Sequence, residues 1–153
     1  MMSFAIALHA LSAVVWIGGM FLVYVCLRPA AGALETPQRL SLFEDVLRRF
    51  FVWVWCAVVL LPVTGFWMAF SIFGPVAAWP HYIHIMMGLG IVMILLYLHL
   101  YFAPWRRLRR ALADGDLPEA GRRLGQIRRI VAVNLGLGVL IVVVASGGRL
   151  FAG

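Results

Sequence analysis

Four long apolar stretches restrict the fold of this chain more than any other feature of its sequence. They cover residues 4–27, 50–73, 82–103 and 130–148. A helix of about 20 apolar residues crosses the hydrocarbon core of a bilayer. In lipid a spanning segment must satisfy its own backbone hydrogen bonds, which favours helices. The sequence therefore predicts an all-α protein, an integral membrane four-helix transmembrane bundle, organised as a single transmembrane domain over residues 1–153.

Composition and charge distribution agree with a membrane protein and argue against a nucleic-acid partner. Hydrophobic residues make up 64% of the chain and charged residues only 12%, whereas soluble domains approach about 25% charged residues. The net charge is +7, but twelve of the thirteen arginines lie between the apolar stretches. Basic loops that flank apolar spans are typical of membrane topology. We therefore expect the lipid bilayer as a partner, and no nucleic acid.

The positions of the arginines also predict an orientation. Residues 28–49 contain four arginines and residues 105–129 contain eight, whereas residues 74–81 contain none. Because basic loops stay in the cytoplasm, both long connections are expected there and both termini outside. The arginine-rich cytoplasmic loop is expected to contact anionic lipid headgroups.

Both long connections show helical patterns of their own. A short amphipathic helix is predicted over residues 37–47, and the third helix is expected to continue as an arginine-rich stretch over residues 105–113. Residues 114–116, Asp-Gly-Asp, are expected to break that helix before a new one begins. The apolar spacing of the first segment is carried by Leu40, Phe43 and Leu47.

Histidines in or beside the spans are the main candidate site residues, because ionisable groups are rare and costly in lipid. At 1.5 Å per residue, His9 and His84 lie within roughly 10 Å of the same membrane surface on different helices, so they can face each other. His81 precedes His84 by one turn on the same face. His99 lies about 22 Å beyond His84 and is expected to form interfacial hydrogen bonds instead.

Two cofactors fit a facing pair of imidazoles. The first is a copper ion, bound by His9 and His84 with help from His81, Met86 or Met87, since imidazole and thioether ligands suit copper. The second is haem b, with His9 and His84 as axial ligands and Arg149 paired with a propionate. That alternative describes a membrane redox protein that oxidises a quinol or a protoporphyrinogen.

A third interpretation needs no cofactor and makes the bundle a membrane interaction subunit. No Walker, GxSxG or HExxH motif is present, and all six acidic residues lie in the loops, so hydrolytic chemistry has no support. The methionines within the spans are scattered along the sequence and are interpreted as adaptable core residues. They are Met20, Met68, Met86, Met87 and Met93.

Several short motifs resemble those of the bacterial copper resistance protein D family. They are Leu8-His9-Ala10, Val15-Trp16-Ile17-Gly18-Gly19, Leu27-Arg28-Pro29, Arg49-Phe50-Phe51 with Trp53, Thr64-Gly65, the stretch from His84 to Gly88, and His99-Leu100-Tyr101-Phe102.

The resemblance implies a protein of the bacterial inner membrane, with periplasmic termini, that serves copper uptake, tolerance or homeostasis. Larger members of the family carry further helices and sometimes a periplasmic copper-binding domain. A four-helix chain is therefore expected to act as a homodimer or with a periplasmic copper-binding partner. The histidine of the first helix is also similar to that of small haem-binding membrane proteins of the protoporphyrinogen oxidase type.

Overall fold

A computed structural model describes residues 1–147, which form four long helices and no strand. Each helix is long and apolar enough to cross a bilayer, which confirms the predicted all-α membrane fold. Gly148 and Arg149 lie outside the described residues, so the end of the fourth span and the predicted propionate partner are not seen. The helices are α1 (Met2–Ala33), α2 (Thr36–Phe73), α3 (His81–Ala113) and α4 (Leu117–Gly147).

The two ends of the bundle differ in charge. We call the end that carries the connections 34–35 and 114–116 the arginine end, and the opposite end, with Met1 and residues 74–80, the terminal end. Within the bundle α1 packs mainly on α2 and α3 mainly on α4. Large apolar side chains remain exposed along the outside of the helices, as expected for a surface in contact with lipid; examples are Phe4, Leu11, Val52, Val63 and Val143.

At the arginine end the helices continue well beyond their apolar spans. The separate amphipathic helix predicted over residues 37–47 is wrong, because this segment forms the first turns of the continuous helix α2. Pro37 is tolerated there, since the first amides of a helix have no intrahelical acceptor. The predicted apolar face is buried all the same, and it packs with the extended parts of α3 and α4; its residues are Leu40, Phe43 and Leu47.

Two prolines lie in helices that continue past them through wider turns. In α1 a π-helical turn at Leu22–Leu27 precedes Pro29, and in α3 a π-helical turn at Tyr101–Trp105 contains Pro104. Proline has no amide hydrogen and crowds the preceding turn. The wider turn lets the Arg28 amide donate to the carbonyl of Val23, so α1 reaches Ala33 without a break.

The connections at both ends are fixed by specific hydrogen bonds. Gly115 adopts a positive φ of 72°, and the Asp116 carboxylate accepts a hydrogen bond at 3.0 Å from the Glu119 amide as α4 begins. This confirms the break predicted at residues 114–116. At the terminal end the Trp79 indole donates to the Gly74 carbonyl at 2.9 Å and fixes the link between α2 and α3.

Buried aromatic rings fill the middle of the bundle. Trp16, Phe51, Tyr97 and Trp105 are each 4% exposed or less. Their rings meet edge to face, with centroids 5.6 Å apart for Phe51 and Tyr97 and 5.0 Å apart for Phe51 and Trp105. The Tyr97 hydroxyl donates to the Phe51 carbonyl at 3.2 Å. We call these four residues, with Trp55, the aromatic layer.

Candidate functional site

A cavity of about 580 Å³ lies between the aromatic layer and the terminal end of the bundle. All four helices contribute to its wall, which is mostly aliphatic and aromatic. Trp16, a member of the aromatic layer, and Met93 both line the cavity, and the Trp16 ring contacts Tyr97 of the same layer. A volume of this size is typical of sites that hold a small ligand or cofactor. The cavity is therefore a candidate ligand site in the described part of the chain.

His9 is the histidine in the cavity wall, and a hydrogen bond with Thr64 holds its ring in place. The Thr64 hydroxyl donates its proton to the Leu60 carbonyl one turn earlier, at 2.6 Å. The same oxygen lies 2.8 Å from Nδ1 of His9. Since a hydroxyl has one proton and that proton is already used, Nδ1 is assigned as the donor to Thr64. The second ring nitrogen, Nε2, then keeps a free lone pair and is able to bind a metal.

Gly65 supplies the space for the His9 ring. A Cβ atom at this position would lie 3.1 Å from Cε1 of His9, tighter than ordinary contact between carbon atoms. Thr64 and Gly65 therefore act together, the first by orienting the imidazole and the second by leaving room for it. In this chain the Thr-Gly pair of α2 therefore accommodates the histidine of α1.

The structure does not group the four histidines. His84 is exposed, its Nδ1 lies 3.3 Å from the Pro80 carbonyl, and its ring packs beside Trp79 at 5.9 Å between centroids. His81 is exposed at the start of α3, and His99 is exposed toward the arginine end. None of these three lines the cavity with His9. The predicted pairing of His9 with His84 stays a prediction that requires the His84 ring to turn.

Methionine side chains, rather than further histidines, line the cavity together with His9. Met86 and Met87, predicted as supporting ligands, line the cavity, and so do Met68 and Met93, which sequence reasoning treated as core residues. Depth along the helices could have indicated Met68 as a cavity residue. Met68 and the Met86-Met87 pair lie in the same half of the membrane as His9. Met20 lies elsewhere in the core, buried and outside the cavity wall.

The donor atoms of the cavity define its chemistry. Among residues 1–147 there is no cluster of three histidine, cysteine, aspartate or glutamate side chains able to hold a metal ion. The cavity wall instead contains one histidine, four methionines and the hydroxyl residues Tyr82 and Ser146, with no carboxylate. Thioether and imidazole ligands suit Cu(I) and are poor ligands for Mg²⁺ or Ca²⁺. The histidine and methionine side chains of the wall are therefore of the kinds that suit a soft, monovalent copper ion.

Comparison with known proteins places the chain in a family. A family model described as copper resistance protein D matches residues 44–147, about two thirds of the 153 residues. The match covers most of α2 and all of α3 and α4 as far as Gly147, while α1 with His9 lies outside it. No curated protein sequence and no solved structure matches the chain. The chain is a multi-pass membrane protein that belongs to the copper resistance protein D family.

Proposed function

We propose that this protein binds Cu(I) in the cavity as its cargo and serves copper uptake, tolerance or homeostasis. One observation carries the proposal: His9, with its Nδ1 proton engaged by Thr64, shares a cavity with four methionine thioethers. Neutral imidazole and thioether groups bind Cu(I) without a compensating negative charge. The family membership supports the same metal.

The orientation follows the distribution of arginine. We propose that the arginine end lies in the cytoplasm and the terminal end faces the periplasm, in the bacterial inner membrane, because basic loops stay inside. The cavity then lies in the outer half of the membrane. His81 and His84 begin α3 at that same end, so His84 is a predicted additional ligand once its ring leaves Trp79.

The haem alternative has less support from the side-chain positions. A bis-histidine haem needs two imidazoles that face each other across the macrocycle, but the His84 ring lies against Trp79 and outside the cavity wall. The cavity has room for a flat ligand, so the distinction must come from a direct measurement.

An anaerobic copper titration of the detergent-purified protein, read together with its absorption spectrum, tests the proposal. We expect stoichiometric Cu(I) in a protein without visible absorption bands, because the filled d shell of Cu(I) has no d–d transitions. A Soret band with sharp α and β bands in the reduced protein would show a haem protein. Protein that neither contains nor takes up copper or haem would leave only the role of an interaction subunit.

Thr64→Val is expected to weaken Cu(I) binding by about 10–100-fold, the usual cost of removing a residue that orients a metal ligand. Valine matches the shape of threonine but cannot accept the Nδ1–H of His9, so neither the tautomer nor the ring orientation is fixed. Thr64→Ser keeps the hydroxyl and is the matched control. Competition with a Cu(I) chelator measures the affinity, and equal affinities for the valine and serine variants would refute this role.

A further inference from the structure

The cavity is much larger than a copper site requires. Bonds from a metal ion to imidazole nitrogen are about 2 Å long, so an ion and its ligand atoms take up only a small part of a cavity of about 580 Å³. Protein interiors are close-packed, and a water molecule is held in a cavity only where it finds several polar partners. The wall is mostly aliphatic and aromatic. Most of the space therefore suits an apolar molecule rather than an ion or a group of waters.

The cavity opens sideways, between α2 and α3. These two helices contact each other less than α2 contacts α1 or α3 contacts α4. Wall residues of both helices are strongly exposed: Phe66 is 39% exposed and Ile72 is 55% exposed on α2, and Ile91 is 48% exposed on α3. The outside of a spanning helix faces lipid. A molecule dissolved in the bilayer is therefore able to enter the cavity between α2 and α3.

Aromatic rings line the cavity, and one nitrogen among them is free to accept a hydrogen bond. Trp16, Phe73 and Tyr82 belong to the wall, and aromatic side chains pack well against another ring, either offset-stacked or edge to face. Since Nδ1–H of His9 is donated to Thr64, Nε2 is an acceptor and pairs only with a group that carries a hydrogen. The wall therefore has the chemistry to bind a flat apolar ring that carries a hydroxyl group.

We propose that the cavity is a binding site for a lipid-soluble aromatic alcohol of the hydroquinone class, which enters between α2 and α3 and donates a ring hydroxyl to Nε2 of His9. A hydroquinone with an apolar tail combines a flat ring, a hydroxyl donor and solubility in the bilayer. The corresponding quinone has only acceptor oxygens, and a lipid acyl chain has no donor at all, so neither pairs with Nε2. The hydroquinone uses the nitrogen assigned to Cu(I), so the two are alternative occupants, and the hydroquinone site does not depend on copper binding.

Anaerobic calorimetric titration of the metal-free, full-length protein in detergent tests the hydrogen bond, with decylubiquinol as the probe and its dimethyl ether for comparison. The ether keeps the ring and the tail but has no hydroxyl hydrogen. We expect decylubiquinol to bind about 3–10-fold more tightly than the ether, the usual contribution of one hydrogen bond. In His9→Leu this preference should disappear. Equal affinities of the unchanged protein for the two ligands, or a preference that persists in His9→Leu, would overturn the assignment to an aromatic alcohol and leave a site for any apolar chain.

Two glycines of α3 form a matched pair that tests the location of the site. Gly90 lines the cavity and Gly88 does not, and a Cβ atom at either position meets no atom within 4 Å. Gly90→Leu is expected to weaken decylubiquinol binding about tenfold or more, because the ligand must compete with the new side chain for the same volume. Gly88→Leu changes helix propensity alike and should bind decylubiquinol as the unchanged protein does.

Equal affinities of Gly90→Leu and Gly88→Leu for decylubiquinol would overturn the placement of the site in this cavity. Thermal unfolding of both variants shows that the fold is kept. Because the protein is metal-free in these titrations, failure of the hydroquinone site is distinguishable from failure of copper binding, which the copper titration measures separately.

Discussion

His9→Ala is expected to lower the Cu(I) affinity of the purified protein by more than 100-fold. Loss of a residue that only orients a metal ligand costs about 10–100-fold, so loss of the ligand itself should cost more. The effect should be large because no other imidazole lines the cavity, and the methionine thioethers lack the basicity of imidazole. Competition with a Cu(I) chelator under anaerobic conditions measures the change.

Matched variants separate loss of the ligand from loss of the fold. His99→Ala removes an exposed histidine at the other end of the bundle, and Met20→Leu changes a buried methionine outside the cavity wall. Both should bind copper like the unchanged protein. His84→Ala tests the predicted additional ligand directly. If His9→Ala binds Cu(I) as tightly as His99→Ala and Met20→Leu do, the copper site is not in this cavity.

Gly19→Ala is expected to destabilise the bundle, with a free energy of unfolding about 1–3 kcal/mol lower than that of Gly18→Ala. A methyl group at Gly19 would overlap the ring of Phe50, so either that ring or the contact between α1 and α2 would have to shift. A methyl group at Gly18 meets no atom within 4 Å. The two variants change helix propensity alike, so their difference isolates the steric clash. Thermal unfolding in one detergent provides the comparison.

Removing the obstacle should restore stability. In the background Phe50→Ala the Gly19→Ala change meets no ring, and we expect its cost to fall to that of Gly18→Ala. Non-additivity of this kind is the mark of two residues in direct contact. If Gly19→Ala costs as much without the Phe50 ring as with it, close packing at this point is not the reason for the glycine.

The main architecture could be predicted from the sequence because lipid imposes a strong rule on any spanning segment. A stretch such as residues 50–73 has to be a helix, and its apolar length is visible in the sequence. Helix boundaries at the arginine end were harder to predict. Residues 37–47 have the period of a short surface helix. No residue between this segment and the span that begins at Phe50 interrupts the helix, so the segment and the span form one continuous helix.

The candidate site could be predicted only in part, because depth along a helix is legible in the sequence and rotation about its axis is not. Depth predicts that His9 and Met87 lie in the same half of the membrane, and both residues line the cavity. The same reasoning put His84 at a matching depth, yet its side chain lies against Trp79 on an exposed face of α3. Met68 was not predicted as a cavity residue, because the direction of its side chain depends on how α2 packs against its neighbours.

The aromatic layer restricts the path by which a ligand could enter and leave the cavity. Interlocked rings separate the cavity from the arginine end, and the hydrogen bond from Tyr97 to Phe51 ties α3 to α2 at that level. In this structure the aromatic layer therefore lies between the cavity and the arginine end, and Trp16 of that layer forms part of the cavity wall. Under the proposed function, copper held in the cavity would therefore return to the terminal end unless the aromatic layer moves, and uptake across the membrane would require that movement.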